Sequence, residues 1–442
     1  MEELQAQIDN KTNWEDPSFA ERITLNGDGV KCTMDEPGYN RDSGTLVDHC
    51  LTVPSPETCE LYVSLPLCLV VLACNVSKLV CTLLAAKDKR EDIFLTTGDA
   101  IASYLACPDP TTEGCCLLSK QLVKKEAQDW HSSGIKYDEE DDRKLALPLP
   151  RPSRWIHAVG KTQWFLTTTV CVCILTPSIW LLYQGMDRYG MKSIFEYGLG
   201  AISRANVFIP ILEPFTTSGI LSMILLANVP QLLVSIAYFT LNALLTGMLG
   251  AVEYDSYGLR RQPLRVSWPR GKQTSTYYLS LPYRYSVPLL LASAVLHWLV
   301  SQSLFYAQIV PFDVQGQHID GAETVSCGYA PVAIVFAIVV GGSLFLASIL
   351  LGLRRFKSSM PLAGQCSAVI SAACHVSSPS ADDDLNHALR PVQWGETGDH
   401  VLAYSSQIDG LAGVEHGVES SFFHCSFSAG EVDEPKKGRL YI

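Results

Sequence analysis

Five stretches of this chain are apolar over lengths that match a lipid bilayer, and that patterning leaves few folds open. They run from Leu61 to Ala86, Trp164 to Tyr183, Ile220 to Leu249, Ser286 to Gln308 and Tyr329 to Leu353. A helix of roughly 20 apolar residues crosses the hydrocarbon core, and only a helix satisfies its own backbone there. The expected fold class is therefore all-α: a polytopic helical membrane protein with about five transmembrane helices joined by flexible soluble segments. Pro177 and Pro230 fall inside the second and third spans and predict kinks. Charged residues are only 18% of the chain, against about 25% in soluble domains. A net charge of −12 argues against nucleic acid as a partner, because phosphate backbones select basic surfaces. The partner that composition names is the lipid bilayer.

Lys and Arg near the span ends set the orientation. The loop 87–163 opens on Lys87, Lys89 and Arg90 and closes on Arg151, Arg154 and Lys161. The loop 250–285 carries Arg260, Arg261, Arg265, Arg270, Lys272 and Arg284, and the tail 354–442 opens on Arg354, Arg355 and Lys357. The loop 309–328 has no Lys or Arg, and 184–219 has only Arg188, Lys192 and Arg204. The N-terminus is thus expected outside and the C-terminus in the cytoplasm, a parity that five crossings satisfy. Residues 1–60 agree: they hold 13 acids against four bases, and Asn10-Lys11-Thr12 is a glycosylation acceptor. No apolar leader stands in the first 30 residues, so targeting is expected from an internal span or from sequence upstream.

Cysteines divide by compartment. Cys32, Cys50, Cys59 and Cys327 fall on the outer side, where disulfides persist, and four thiols allow three pairings. The remaining cysteines read as reduced thiols, with Cys115-Cys116 buried or solvated rather than acylated. In the tail, Cys366, Cys374-His375, His387 and His424-Cys425 are metal-ligating types at irregular spacing, which reads as chance rather than as a metal site. No cofactor is implied. HExxH, GxSxG, GxGxxG and EF-hand patterns are absent, so no catalytic residue is nominated and the chain is read as a non-enzyme. Thr97-Gly98-Asp99 before AIASYL reads as the start of a short capped helix. The tail, rich in Ser, Gly and Asp, is expected to be largely disordered, with ordered pieces at 393–395 and 422–427.

Polar residues form stripes along three spans at 100° per residue. Ser64, Cys68, Asn75, Lys78 and Thr82 share one face of the first span. Asn228, Gln231, Ser235, Asn242 and Thr246 share one of the third, and Ser286, Ser293, His297, Ser301 and Gln308 one of the fourth. Lipid satisfies none of these groups, so the stripes should face one another or a wet cavity. One reading is a polar pathway in which Lys78 and His297 titrate. The plainer one is interhelical hydrogen bonding, with Lys78 reaching toward the basic side. In the fifth span Ala333, Ala337, Gly341, Ser348 and Gly352 make a small-residue stripe suited to close helix contact.

Several segments carry a family resemblance. They include GDAIASYLACPDPTTEG (98–114), LLANVPQLLVSIAYFTLNALLTGML (225–249), and PLRVSWPRGKQTSTYYLSLPYRYSVPLLLASAVLHWLVSQSLF (263–305). RRFKSSMPLAGQCSAVISAACH (354–375), PVQWG (391–395) and HCSFSAGEVDEPKKGRLYI (424–442) continue it. The chain resembles the C-terminal part of an uncharacterised family of ascomycete multi-span membrane proteins that carry an N-terminal domain of unknown function. The resemblance implies a fungal protein and further spans upstream, and it brings no activity or site residues. The functional expectation is a surface or endomembrane binding, sensing or scaffold protein whose cytoplasmic tail recruits protein partners. The alternative is a transporter or channel built on the polar faces of the first, third and fourth spans.

Overall fold

The computed structural model of the chain describes residues 31–32, 45–46, 65–87, 93–126, 147–196, 207–208, 217–309, 324–375, 387–405 and 418–442. Asn10, Cys50 and Cys59 lie outside these residues, as does the side chain of Cys32. Two compact units divide the chain, Met1–Lys89 and Arg90–Ile442.

In the first unit β1 (Lys31–Cys32) pairs antiparallel with β2 (Thr45–Leu46), and α1 (Leu65–Lys87) follows. α1 has 23 residues, a length of about 35 Å at the helical rise. Its described side chains are all exposed. Two hydroxyls turn back on the helix itself: Ser77 Oγ donates to Ala73 O at 2.9 Å and Thr82 Oγ1 to Lys78 O at 2.8 Å. Such back-bonding hides donors that hydrocarbon cannot satisfy.

The second unit opens with α2 (Thr97–Ala106), α3 (Lys120–Glu126) and β3 (Leu147–Pro148). α4 (Lys161–Glu196), β4 (Val207–Phe208), α5 (Thr217–Tyr257), β5 (Arg265–Val266), β6 (Thr274–Ser275) and α6 (Tyr283–Ser303) come next. β7 (Leu304–Ile309), β8 (Thr324–Tyr329), α7 (Pro331–Gly352), α8 (Ser367–Ala372), β9 (Gln393–Ser405), β10 (Val418–Ser428) and β11 (Leu440–Tyr441) complete it. Helices dominate, and α1, α4, α5, α6 and α7 are each long and apolar enough to cross a membrane. The four in this unit close a ring, α4 packing on α5 and α7, and α6 on α5 and α7.

Each end of the ring is finished differently. At one end β4, β8 and β7 form a sheet in that order, with Phe208 opposite Cys327 and Tyr306 opposite Cys327 on its other side. The expected fourth span overran here. Its helix stops at Ser303 and the chain turns extended through Leu304 to pair with β8. At the other end the segments 93–126, 147–160, 258–282, 354–375, 387–397 and 422–442 fold into a cap. Its sheet runs β3-β11-β10-β9, with Trp394 opposite Phe427. One core holds it together, with Ile101, Leu264, Val369, Val392, Trp394, Phe427 and Tyr441 all under 3% exposed.

The all-α expectation is therefore corrected to mostly helical with small sheets, and the tail is not largely disordered. The two ordered pieces expected at 393–395 and 422–427 are neighbouring stretches of one antiparallel pair. Their core is completed by α2, α8 and the end of α5, which local composition does not report.

α5 ties bundle to cap. It has 41 residues, about twice what a bilayer core requires. Its last turns bury Tyr254 and Tyr257, whose rings meet Phe427 edge-on at 5.9 and 5.7 Å. Between them Asp255 accepts from Lys357 N at 3.1 Å, Ser358 N at 3.2 Å and Ser358 Oγ at 2.6 Å, which fixes the chain as it leaves α7. Trp155 N donates to Arg354 O and Phe356 N to Ser153 O, both at 2.9 Å, and they pin the entrance to α4 beside that exit.

α2 begins as the sequence implied, one residue earlier. Thr96 is the N-cap and forms a reciprocal capping box with Asp99. Asp99 also accepts from Ser267 N at 2.7 Å and Ser267 Oγ at 2.8 Å. Gly98 makes that approach possible, since a Cβ there would lie 2.0 Å from Arg265 O. Gly98→Ala is expected to push α2 off the 265–267 strand and to cost at least about 2 kcal/mol of cap stability. A thermal melt of the purified full chain checks this, and an unchanged midpoint would contradict the close approach.

Candidate functional site

The polar stripes of α5 and α6 meet at one point. Ser235 Oγ lies 3.4 Å from His297 Nε2, with Gln231, one turn earlier, taking the Ser235 hydroxyl on its carbonyl at 3.1 Å. Both His297 and Gln231 are half-buried. Several other stripe residues are served locally, while Ser286 Oγ is buried without a hydrogen-bond partner among the described residues. Asn228 Nδ2 donates to Ile224 O at 2.7 Å and Ser301 Oγ to Trp298 O at 2.7 Å, each within its own helix. Asn242 Nδ2 reaches Ser280 Oγ at 3.1 Å, at the edge of the cap, while Asn242 O accepts from Thr246 at 2.7 Å. Asn75 and Lys78 stand exposed on α1, in the other unit. Of the outer cysteines, Cys327 is a fully buried free thiol on β8, its Sγ 3.4 Å from Met223 O.

Beside this seam, and lined by all four helices, lies a cavity of about 80 Å³. Its walls are apolar apart from Cys171, Ser178, Tyr238 and Ser293.

A second constellation sits in the cap and joins residues from three distant parts of the chain. Cys116 follows the 3-10 turn Pro110–Thr112, Cys374-His375 follows α8, and His424-Cys425 lies on β10. Cys116 and Cys425 are 1% and 0% exposed and His424 is 7% exposed, so solvent contributes little to their chemistry. His424 Nδ1 donates to Ile442 O at 2.6 Å and Nε2 to His375 O at 2.8 Å. Backbone carbonyls only accept, so both ring nitrogens carry hydrogen and the ring is an imidazolium. A buried cation requires a counter-charge, and the neighbouring Cys116 sulfur supplies it. A hydrogen bond with Cys425, joined against burial by one with His424, draws the Cys116 pKa down to about 5. Burial opposes the charge on His424, yet the Cys116 sulfur and the two carbonyls raise its pKa to about 9. Cys425 is pushed up by the same hydrogen bond and keeps its hydrogen.

His375 extends the network. Its Nε2 lies 2.9 Å from Thr112 Oγ1, which in turn is 2.7 Å from Ser371 Oγ. Burial lowers its pKa, so this second ring is neutral.

A thiolate beside an imidazolium is the chemistry of nucleophilic cysteines, but no substrate reaches a sulfur that is 1% exposed. The arrangement acts as a charged tie between the 109–116 turn, the end of α8, β10 and Ile442. Of the metal-ligating types in the tail, the fold gathers His375, His424 and Cys425 around Cys116, while Cys374 is buried beside them in sequence and His387 bonds to Ala429 N. The member missed from sequence, Cys116, comes from the loop before α4, and no spacing rule links it to the others. Among the described residues no three His, Cys, Asp or Glu side chains are placed to hold a metal ion.

The pair has a definite pH signature. His424, with its pKa raised from 6.5 to about 9, contributes fully below about 6.5 and is lost as pH rises to about 9. Cys116, lowered from 9.0 to about 5, contributes fully above about 9 and is lost as pH falls to about 5. Between 6.5 and 9 the two trends cancel, because folding there moves one proton from sulfur to nitrogen without net uptake. The net loss falls on acidification from about 6.5 to about 5, and the lowered pKa of His375 adds in the same direction. Thermal melts of the cap across pH are expected to be flat above 6.5 and to drop below it. Cys116→Ser, which strands the imidazolium, should lower the midpoint already at neutral pH. A melt indifferent to both acid and the substitution would contradict the charged pair.

A family model described as a domain of unknown function, DUF8419, matches residues 96–144 and 135–441. The matched region starts at the N-cap of α2 and takes in the cap and the four-helix ring, without α1. No curated protein and no solved structure matches the chain.

Proposed function

The chain belongs to the DUF8419 family, and we propose that it is a fungal integral membrane protein that binds or scaffolds soluble protein partners through its cap. The observation that carries this reading is the convergence of three separate soluble segments on one core at one end of the ring. A chain that merely threads a membrane needs no such core. The cap also gathers the Lys- and Arg-rich loop ends, which supports a cytoplasmic cap, an N-terminus outside and a plasma-membrane or endomembrane location. The basic loop itself is largely committed to the cap's own structure. Arg261 donates to Ala429 O and Gly430 O, and Arg265 pairs with Glu253 at 3.1 Å while stacking 4.1 Å over Tyr277.

The second reading, a transporter or channel using the polar faces of the spans, has one supporting contact, Ser235 to His297. Against it, the space between the four helices is lined mostly by apolar side chains, and Asn228, Thr246 and Ser301 of the stripes bond within their own helices.

Two measurements test the proposal. In glycosylation mapping, acceptor sites placed at 268–272 should stay unmodified while those placed at 313–320 are modified, and the reverse pattern would overturn the orientation. Trp394→Ala removes the largest fully buried side chain, at a cost of about 3–5 kcal/mol. It should unfold the cap sheet while leaving the helices inserted. Proximity labelling from a fusion after Ile442 should then lose its soluble neighbours, and an unchanged neighbour set would contradict recruitment by the folded cap.

A further inference from the structure

We propose that the cavity lined by α4, α5, α6 and α7 is a binding site for a segment of the acyl chain of a membrane lipid. It lies at mid-depth in the ring. Its walls come from residues 171–178 of α4, 234–241 of α5, 289–300 of α6 and 337–345 of α7. Protein interiors hold few voids larger than one water, and about 80 Å³ exceeds several-fold the ~10–15 Å³ that one water needs. The space is not a packing defect of ordinary size.

Helix composition leaves it open at one level only. The small-residue stripe of α7 makes close contact at both ends, with Ala333 fully buried and a Cβ on Gly352 only 3.3 Å from Trp164. In the middle, Ala337 and Gly341 face the cavity, and a Cβ on Gly341 would meet nothing nearer than Leu296 at 3.7 Å. Ala237 of α5 adds a third small side chain to the wall.

Wall chemistry selects the guest. Ser178 Oγ donates to Ile174 O at 2.8 Å within its own helix. The other polar wall residues are Cys171, Tyr238 and Ser293, scattered over three helices. A water requires two to four polar partners, and an apolar cavity stays dry or takes an apolar guest. At this depth the outward side chains Ile179, Trp180, Leu232, Leu290, Leu291, Val339 and Leu346 are 52–62% exposed. Such a belt requires hydrocarbon around it, and hydrocarbon chains are then the apolar species at high concentration beside the opening.

The inference rests on these helices crossing a bilayer, and the test separates the two. The full chain is reconstituted into phosphatidylcholine vesicles that carry a mid-chain photoactivatable diazirine, irradiated, and its labelled residues are mapped. Labels are expected on Tyr238, Ser293 and Phe345 in the cavity, and on the outward residues Leu232 and Val339. Ala237→Phe and Gly341→Leu, which fill the space, should lose the cavity labels and keep the outward ones. Gly341→Ala, a single methyl in open space, should retain both and serve as the folded control. Outward labels alone in the unmodified chain would overturn the acyl-chain site while sustaining the spans. Absence of outward labels would overturn the membrane reading itself.

Discussion

The joining of cap to ring depends on α5 not stopping where its hydrophobic run stops. The helix continues through Glu253 and Asp255 to Tyr257. That extension carries two aromatic rings into the cap core and one carboxylate onto the backbone leaving α7. A carboxylate that accepts three hydrogen bonds at 6% exposure is well stabilised while paired and costly once a partner is lost. Bundle and cap are consequently one structure, and the family match, which spans both, follows the same boundary.

Polar groups are handled by opposite rules in the two halves. In the spans, hydroxyls and amides mostly return to their own helix, as Ser178, Asn228, Thr246 and Ser301 do, and few cross between helices. In the cap, polar side chains tie segments that are remote in sequence: Asp99 to Ser267, Asp255 to Ser358, His424 to His375 and Ile442, Glu396 to Arg439 and Tyr441. A hydrocarbon surround supplies no hydrophobic force between apolar helices, so packing shape would govern a ring placed in it. Water outside the cap makes burial of each polar pair cooperative with the apolar core around it.

Much of the long apolar helices was legible because they are written in composition over lengths of about 20 residues. The spans, the interior prolines and the capped start of α2 all come from local patterns. What was not legible is non-local. The end of α5 passed for a loop because Glu253 and Asp255 interrupt its apolar run, although Ala251, Tyr254 and Tyr257 continue the buried helical face. Leu304 to Gln308 passed for the end of a span because its strand partner, β8, lies beyond a loop in sequence. The tail around its two expected ordered pieces passed for disorder because Trp394 and Phe427 find their core among residues from α2, α5 and α8. Cys116 and His424 illustrate the same limit at the level of chemistry, since neither is distinctive until the fold places them together.

The loop before α4, the loop after α5 and the tail form a single folded cap. Hydrogen–deuterium exchange on the full chain in lipid vesicles tests it most directly. Backbone amides at 101–105, 369–373, 392–396 and 423–427 are expected to exchange slowly and as one cooperative unit. Fast exchange of the tail amides, independent of those in α2, would contradict it.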